Sequence, residues 1–161
     1  MMKTLILGIG SPFGDDQFGL KTADYLKRQT HLLDNENLSI ELADRPGLNL
    51  LYWLDQPFGR LILIDAVKAD LSAGTPICLK GDVILSFDGF LSSHAIGIAP
   101  ALALAQALGK PIEHVLFYGI VGRRLNVKDD VMSAEAEKAI SVLGAQIQAL
   151  ISTDKSPKPS R

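Results

Sequence analysis

The chain has 161 residues, 47% of them hydrophobic, and a formal net charge of -2. A protein of that length buries roughly 70% of the surface its unfolded form exposes, enough for one compact core. Lys and Arg are scattered, which argues against nucleic-acid or anionic-membrane binding, and Cys78 is the only cysteine, which excludes an intrachain disulfide and a Cys-rich zinc site.

The opening MMKTLILGIGSPFGDD resembles a signal peptide only briefly. Its apolar run stops at a Gly/Pro/Asp loop, well short of the roughly 7–15 residues such a segment needs, so it reads as the first strand of a cytoplasmic protein. KTLILGI (3–9) is that strand, and DQFGLKTADYLKRQ (16–29) reads as the helix after it. LSIELAD (38–44) and RLILIDAV (60–67) read as further strands, with GLNLLYWLDQ (47–56) helical between them. TPICLKGDVILSF (75–87) holds two strand-like runs around Lys80-Gly81-Asp82, the pattern of a hairpin or edge insertion. The alanine-rich segment 97–108 reads as a buried helix, since the apolar run Ala95 to Gly109 falls below the roughly 20 residues that span a bilayer.

HVLFYGIVG (114–122) is the last predicted strand. The last helix covers about 133–151, with Ala136, Ala139, Ile140, Leu143, Ile147 and Leu150 at helical spacing. The tail 152–161 is polar with two prolines and is expected to be disordered. Alternating strands and helices predict a single α/β domain over 1–151: an α/β/α sandwich whose mostly parallel, twisted sheet of about five strands carries helices on both faces. Ligands then belong at the carboxyl ends of the strands.

The loop GIGSPFGDDQFG (8–19) leaves the first strand at that edge. As a dinucleotide fingerprint it fails, because Gly14 comes one residue late and Pro12 sits inside the turn. Asp15 and Asp16 would also place negative charge where a pyrophosphate needs backbone N–H groups. One aspartate there is explained as a helix cap, which suits Asp15; the second, Asp16, is then a candidate ligand.

Asp65 ends an otherwise unbroken apolar strand at the same edge, and His94 in LSSHAIG (91–97) precedes the apolar helix. Singly, Asp65 reads as a turn cap or a partner of Lys68, and His94 as a packed or capping residue. Together, two carboxylates and one imidazole suit a divalent metal with an open coordination position. His31 and His114 read as structural or solvated, and Cys78 as a small core residue. No H-E-x-x-H, nucleophile elbow or Cys-His pairing is present.

LGIGSPFGDDQFG, LILIDAV and SSHAIG, in that order and at those intervals, resemble the hydrogenase maturation endopeptidases, which trim the large subunit of NiFe hydrogenases. The likeness runs from Lys3 to about Leu150. It implies that Asp16, Asp65 and His94 are the metal ligands and carry the catalysis. It also implies that the metal is nickel delivered with the substrate, and that the partner is the precursor of the large subunit, cut to release its C-terminal extension. The family's Asp-Gly-Gly-Thr segment reads Asp44-Arg45-Pro46-Gly47 here, which makes Asp44 and Gly47 candidates for substrate binding. Ser11, Gln17 and YGIVGRR (118–124) depart from the family pattern. The alternatives are a nucleotide or nucleoside enzyme using the Gly-rich loop, and a chaperone that binds the subunit without cutting it.

Overall fold

The computed structural model describes residues 2–29, 32, 34–90 and 97–153. The His31 and His94 expectations and that for the tail from 154 on therefore lie outside the described residues, while Ser152 and Thr153, expected in the tail, belong to the last helix.

Five strands form one sheet in the order β2-β1-β3-β5-β4. They are β1 (Thr4–Gly10), β2 (Leu38–Asp44), β3 (Arg60–Val67), β4 (Pro76–Lys80) and β5 (Val115–Val121). β1 pairs parallel with β2 and β3, and β3 parallel with β5; β4 alone runs antiparallel, at the edge beside β5. Both faces of the central strands are covered, which is why β1 and β3 are buried at every residue and read as unbroken apolar runs.

The period of two along the strands sorts the core into two layers. Leu5, Leu7 and Ile9 of β1 and Leu61, Leu63 and Val67 of β3 point to one side. There they meet α2 (Leu50–Leu54), α3 (Asp82–Ser86) and α4 (Ile98–Ala107). Ile6, Ile62, Ile64, Ala66 and Ile120 point to the other, against α1 (Phe18–Lys27) and α5 (Ala134–Thr153). Phe18 and Leu26 of α1 and Leu143 and Ile147 of α5 supply the matching helical stripes. The predicted α/β/α arrangement is the observed one.

Helix boundaries follow local chemistry. α5 begins after Ser133, whose Oγ accepts the Ala136 N–H at 3.2 Å as a cap, and it carries Glu135 and Glu137 in its first turn. α4 stops at Gly109, which takes a φ of 83° that side chains disfavour.

Two expectations need correction. The second half of the 75–87 segment is not a strand: Gly81 turns the chain at φ 56° and Asp82–Ser86 forms one helical turn that buries Ile84. A hairpin partner is unnecessary because β4 already pairs with β5. Cys78 is exposed rather than in the core, because alternate residues of the edge strand β4 point away from any covering helix.

Candidate active site

The loop after β1 is shaped by close backbone approaches. A Cβ on Gly10 would overlap the Asp16 carbonyl oxygen, and one on Gly19 would overlap the Ile9 and Ile64 carbonyls. With no side chains there, the turn Gly14–Gln17 and the start of α1 pack directly on the ends of β1 and β3. The glycines thus bring the chain down onto the strand ends, and the turn carries two acids where a phosphate cradle would present bare N–H groups.

Asp65 lies near the carboxyl end of β3, level with Gly119 of β5. It is 7% exposed, as is Asp16. The Ala66 N–H donates to Asp65 Oδ1 at 2.8 Å. Burial pushes the Asp65 carboxyl well above the usual carboxylate range; the Ala66 N–H opposes that shift, and the negative charge of Asp16 adds to it. Asp16 thus lies close enough to Asp65 for its charge to act on it.

A desolvated pair of like charges is costly until a cation or a proton joins it. That donor chemistry fits a divalent metal bound through oxygen, with an imidazole as a third ligand. His94, the proposed third ligand, lies outside the described residues, and among the described residues no group of three or more His, Cys, Asp or Glu side chains could hold a metal. The described flanks of its segment are Phe90, bridged to Val67 two residues beyond Asp65, and Gly97 at the start of α4.

Asp44 ends β2 opposite Gly10, so it shares the edge. Its carboxylate is bidentate with Arg45, Nε to Oδ1 at 2.6 Å and Nη2 to Oδ2 at 3.2 Å, in an exposed pair. Arg45 adopts φ 45°, the left-handed region, and its N–H donates to the Gly10 carbonyl at 2.8 Å. The turn is thus kept in the shape a glycine would favour while an arginine occupies it. Gly47 follows at φ 56° and opens the short turn before α2.

Asp15 does not cap its own helix, contrary to expectation: neither the turn nor α1 has a side-chain cap. Its carboxylate is fully buried and faces the segment 122–133 between β5 and α5. Oδ1 accepts the Ser133 N–H at 2.7 Å, while Oδ2 accepts the Arg123 N–H at 2.7 Å, the Arg124 N–H at 2.9 Å and the Ser133 hydroxyl at 2.7 Å. Burial pushes the Asp15 carboxyl up, but these four donors outweigh it and hold it below the ordinary range. Gln17 Nε2 donates to the Gly14 and Asp130 carbonyls. The role of 122–133 was invisible in the sequence; Ser133 ahead of two glutamates was readable as a cap, but its bond to a residue 118 positions away was not.

The model of the hydrogenase maturation protease family, HycI, matches residues 22–150. The chain belongs to that family. Its Gly-rich loop precedes the matched region, so the placement of Asp16 beside Asp65 is an observation independent of it. The hydrogenase expression/formation protein HupD of Thiocapsa roseopersicina is 31% identical over 121 residues, 72% of this chain and 52% of HupD. This chain thus spans about half the length of that relative. The hydrogenase maturating endopeptidase HybD from E. coli shares the fold with a TM-score of 0.80 at 20% identity, over 95% of this chain and 94% of HybD. The maturation protease HycI from Thermococcus kodakarensis does so at 0.69 and 16% identity, over 94% and 93%.

Proposed function

We propose that this protein is an endopeptidase that removes the C-terminal extension from the nickel-loaded precursor of a NiFe hydrogenase large subunit. The observation that carries the reading is the meeting of Asp16 and Asp65, two buried carboxylates, at the carboxyl edge of the sheet in a hydrogenase maturation protease. Such a pair binds a cation strongly once it arrives, and a substrate that brings its own nickel supplies that cation at the bond to be cut. Asp16, Asp65 and His94 are the proposed ligands and catalytic groups, and nickel is part of the substrate.

A bound divalent metal polarises a scissile carbonyl or acidifies a water at it. The chain's own contribution is to orient and desolvate. The Ala66 N–H fixes one oxygen of Asp65, and the backbone of the Gly14–Gln17 turn fixes Asp16. Asp44, opposite Gly10 at the same edge, and Gly47, three residues further on, are the proposed contacts for the substrate. Among the described residues no helix is long and apolar enough to cross a membrane; the proposed setting is the cytoplasm.

The test is incubation with a nickel-loaded precursor, read by mass spectrometry. Wild-type protein is expected to shorten the precursor by one C-terminal peptide, and Asp16→Asn and His94→Ala to stop it. Full cleavage by both variants overturns the site; binding without cleavage by the wild type would favour the chaperone reading.

A further inference from the structure

Consecutive acids in one turn have opposite surroundings. Asp16 bears on Asp65, whereas among the described residues every hydrogen bond to the Asp15 carboxylate comes from 108 to 118 positions further along the chain. The tethering extends to both neighbours of Asp16. On one side the Asp15 N–H donates to the Arg124 carbonyl at 2.8 Å, and the Gly14 N–H to the Asp129 carbonyl at 2.9 Å. On the other, Gln17 Nε2 donates to the Asp130 carbonyl at 2.8 Å. Gly14, at φ 47°, sits so close to Arg124 and Val127 that a Cβ would overlap both. The Asp16 carbonyl is held in turn by the Ser11 N–H at 3.0 Å.

A residue whose neighbours are pinned on both sides, and whose own carbonyl is pinned as well, has little backbone freedom left. We propose that Asp15 is a positioning residue: by binding the 122–133 segment to the Gly14–Gln17 turn it fixes the direction of the Asp16 carboxylate, and Gln17 assists it. The chemistry at this position demands an acceptor-only side chain. Three N–H groups and one hydroxyl converge on two oxygens, so an asparagine of the same size would set its NH₂ against at least one donor. The kinetic part of the test rests on the proposed function; the exchange part does not.

Asp15→Asn is examined first by amide hydrogen exchange on the isolated protein. The amides of Ile6 and Leu63 in the core follow the global stability, and the Ser11 N–H, bonded to Asp16, is expected to accelerate at least about tenfold more than they do. A merely structural Asp15 would speed all of them together; that outcome, or no change at Ser11, overturns the proposal. Should Asp15→Asn fail to fold, Ser133→Ala, which removes one of the four donors, is expected to give the same contrast about severalfold in size. With nickel-loaded precursor, kcat of Asp15→Asn is expected to fall at least about tenfold while KM stays within about twofold, the mark of a misdirected reacting group. Gln17→Ala is expected to move kcat the same way by less, and unchanged kcat in both variants overturns the proposal. Failure of the wild type to cut the precursor counts against the proposed function alone, because the exchange contrast is read without substrate.

Discussion

Burial holds the carboxyl of Asp65 well above the ordinary carboxylate range at the end of β3, and the negative charge of Asp16 adds to that shift. A carboxyl raised in the fold stabilises it below the ordinary carboxylate range and loses that contribution as pH rises through the raised value. The metal-free protein is therefore expected to pay most for Asp65 on the alkaline side of that value. Asp65→Asn is expected to raise stability there by about 1 kcal/mol while abolishing cleavage, since the proposed ligand role needs the charge that stability would remove. Thermal melts of both proteins at about pH 5 and about pH 8 check this; a difference independent of pH would refute it. Cd²⁺ binding, followed by calorimetry, is expected to tighten with pH and to release protons, because ligands must be deprotonated.

Asp15 has the opposite sign. Its carboxyl is held low, so its contribution is present above the ordinary carboxylate range and is lost as pH falls through the lowered value. Acid unfolding of the wild type below about pH 4 is expected to be steeper than that of Asp15→Asn, which should already be about 1–3 kcal/mol less stable at neutral pH. Urea titrations at a series of pH values check this: a stability gap between the two proteins that stays constant from neutral pH down to about pH 2 would count against the assignment.

Gly10→Ala is expected to destabilise by about 1–3 kcal/mol and to abolish cleavage, because the added methyl meets the Asp16 carbonyl. Gly109→Ala supplies the contrast. It lies at φ 83° with none of the described residues near its missing Cβ, so it should cost about 1 kcal/mol through backbone strain and leave cleavage intact. Denaturation midpoints beside cleavage rates separate the two effects.

Cys78 is exposed on β4, and partial burial pushes its thiol up. Alkylation is expected to be slow at neutral pH and to accelerate only on the alkaline side, because the thiolate is the reacting form. The alkylated protein and Cys78→Ser should both cut precursor at the wild-type rate. Loss of activity on alkylation that Cys78→Ser does not reproduce would indicate steric blockade at this edge instead.

The strand pattern was legible because burial on both faces leaves a plain mark. Leu5 to Leu7 and Leu61 to Ile64 allow no polar residue, and the expected strand 60–67 is the observed one. Asp65 stood out for the same reason, as the acid that breaks such a run. The VILSF stretch misled because a short apolar run has no period of its own, and the position of Ile84 under α4 decided for helix. The cap assigned to Asp15 failed on a similar ground: an Asp before a helix satisfies local donors unless distant ones reach it first.

By itself the sequence determined the alternation of strands and helices, the carboxyl edge as the proposed site, and the family through its ordered loop, strand-end acid and Ser-Ser-His. These are local patterns of burial, turn chemistry and spacing, and a chain carries them in one dimension. Only the tertiary structure decided that Asp16 and Asp65 meet, that β4 runs antiparallel at the edge, and that Asp15 belongs to the segment 122–133 rather than to its own helix. Those facts depend on which backbone N–H groups arrive beside a buried carboxylate once the core has closed, and no spacing along the chain encodes that arrival.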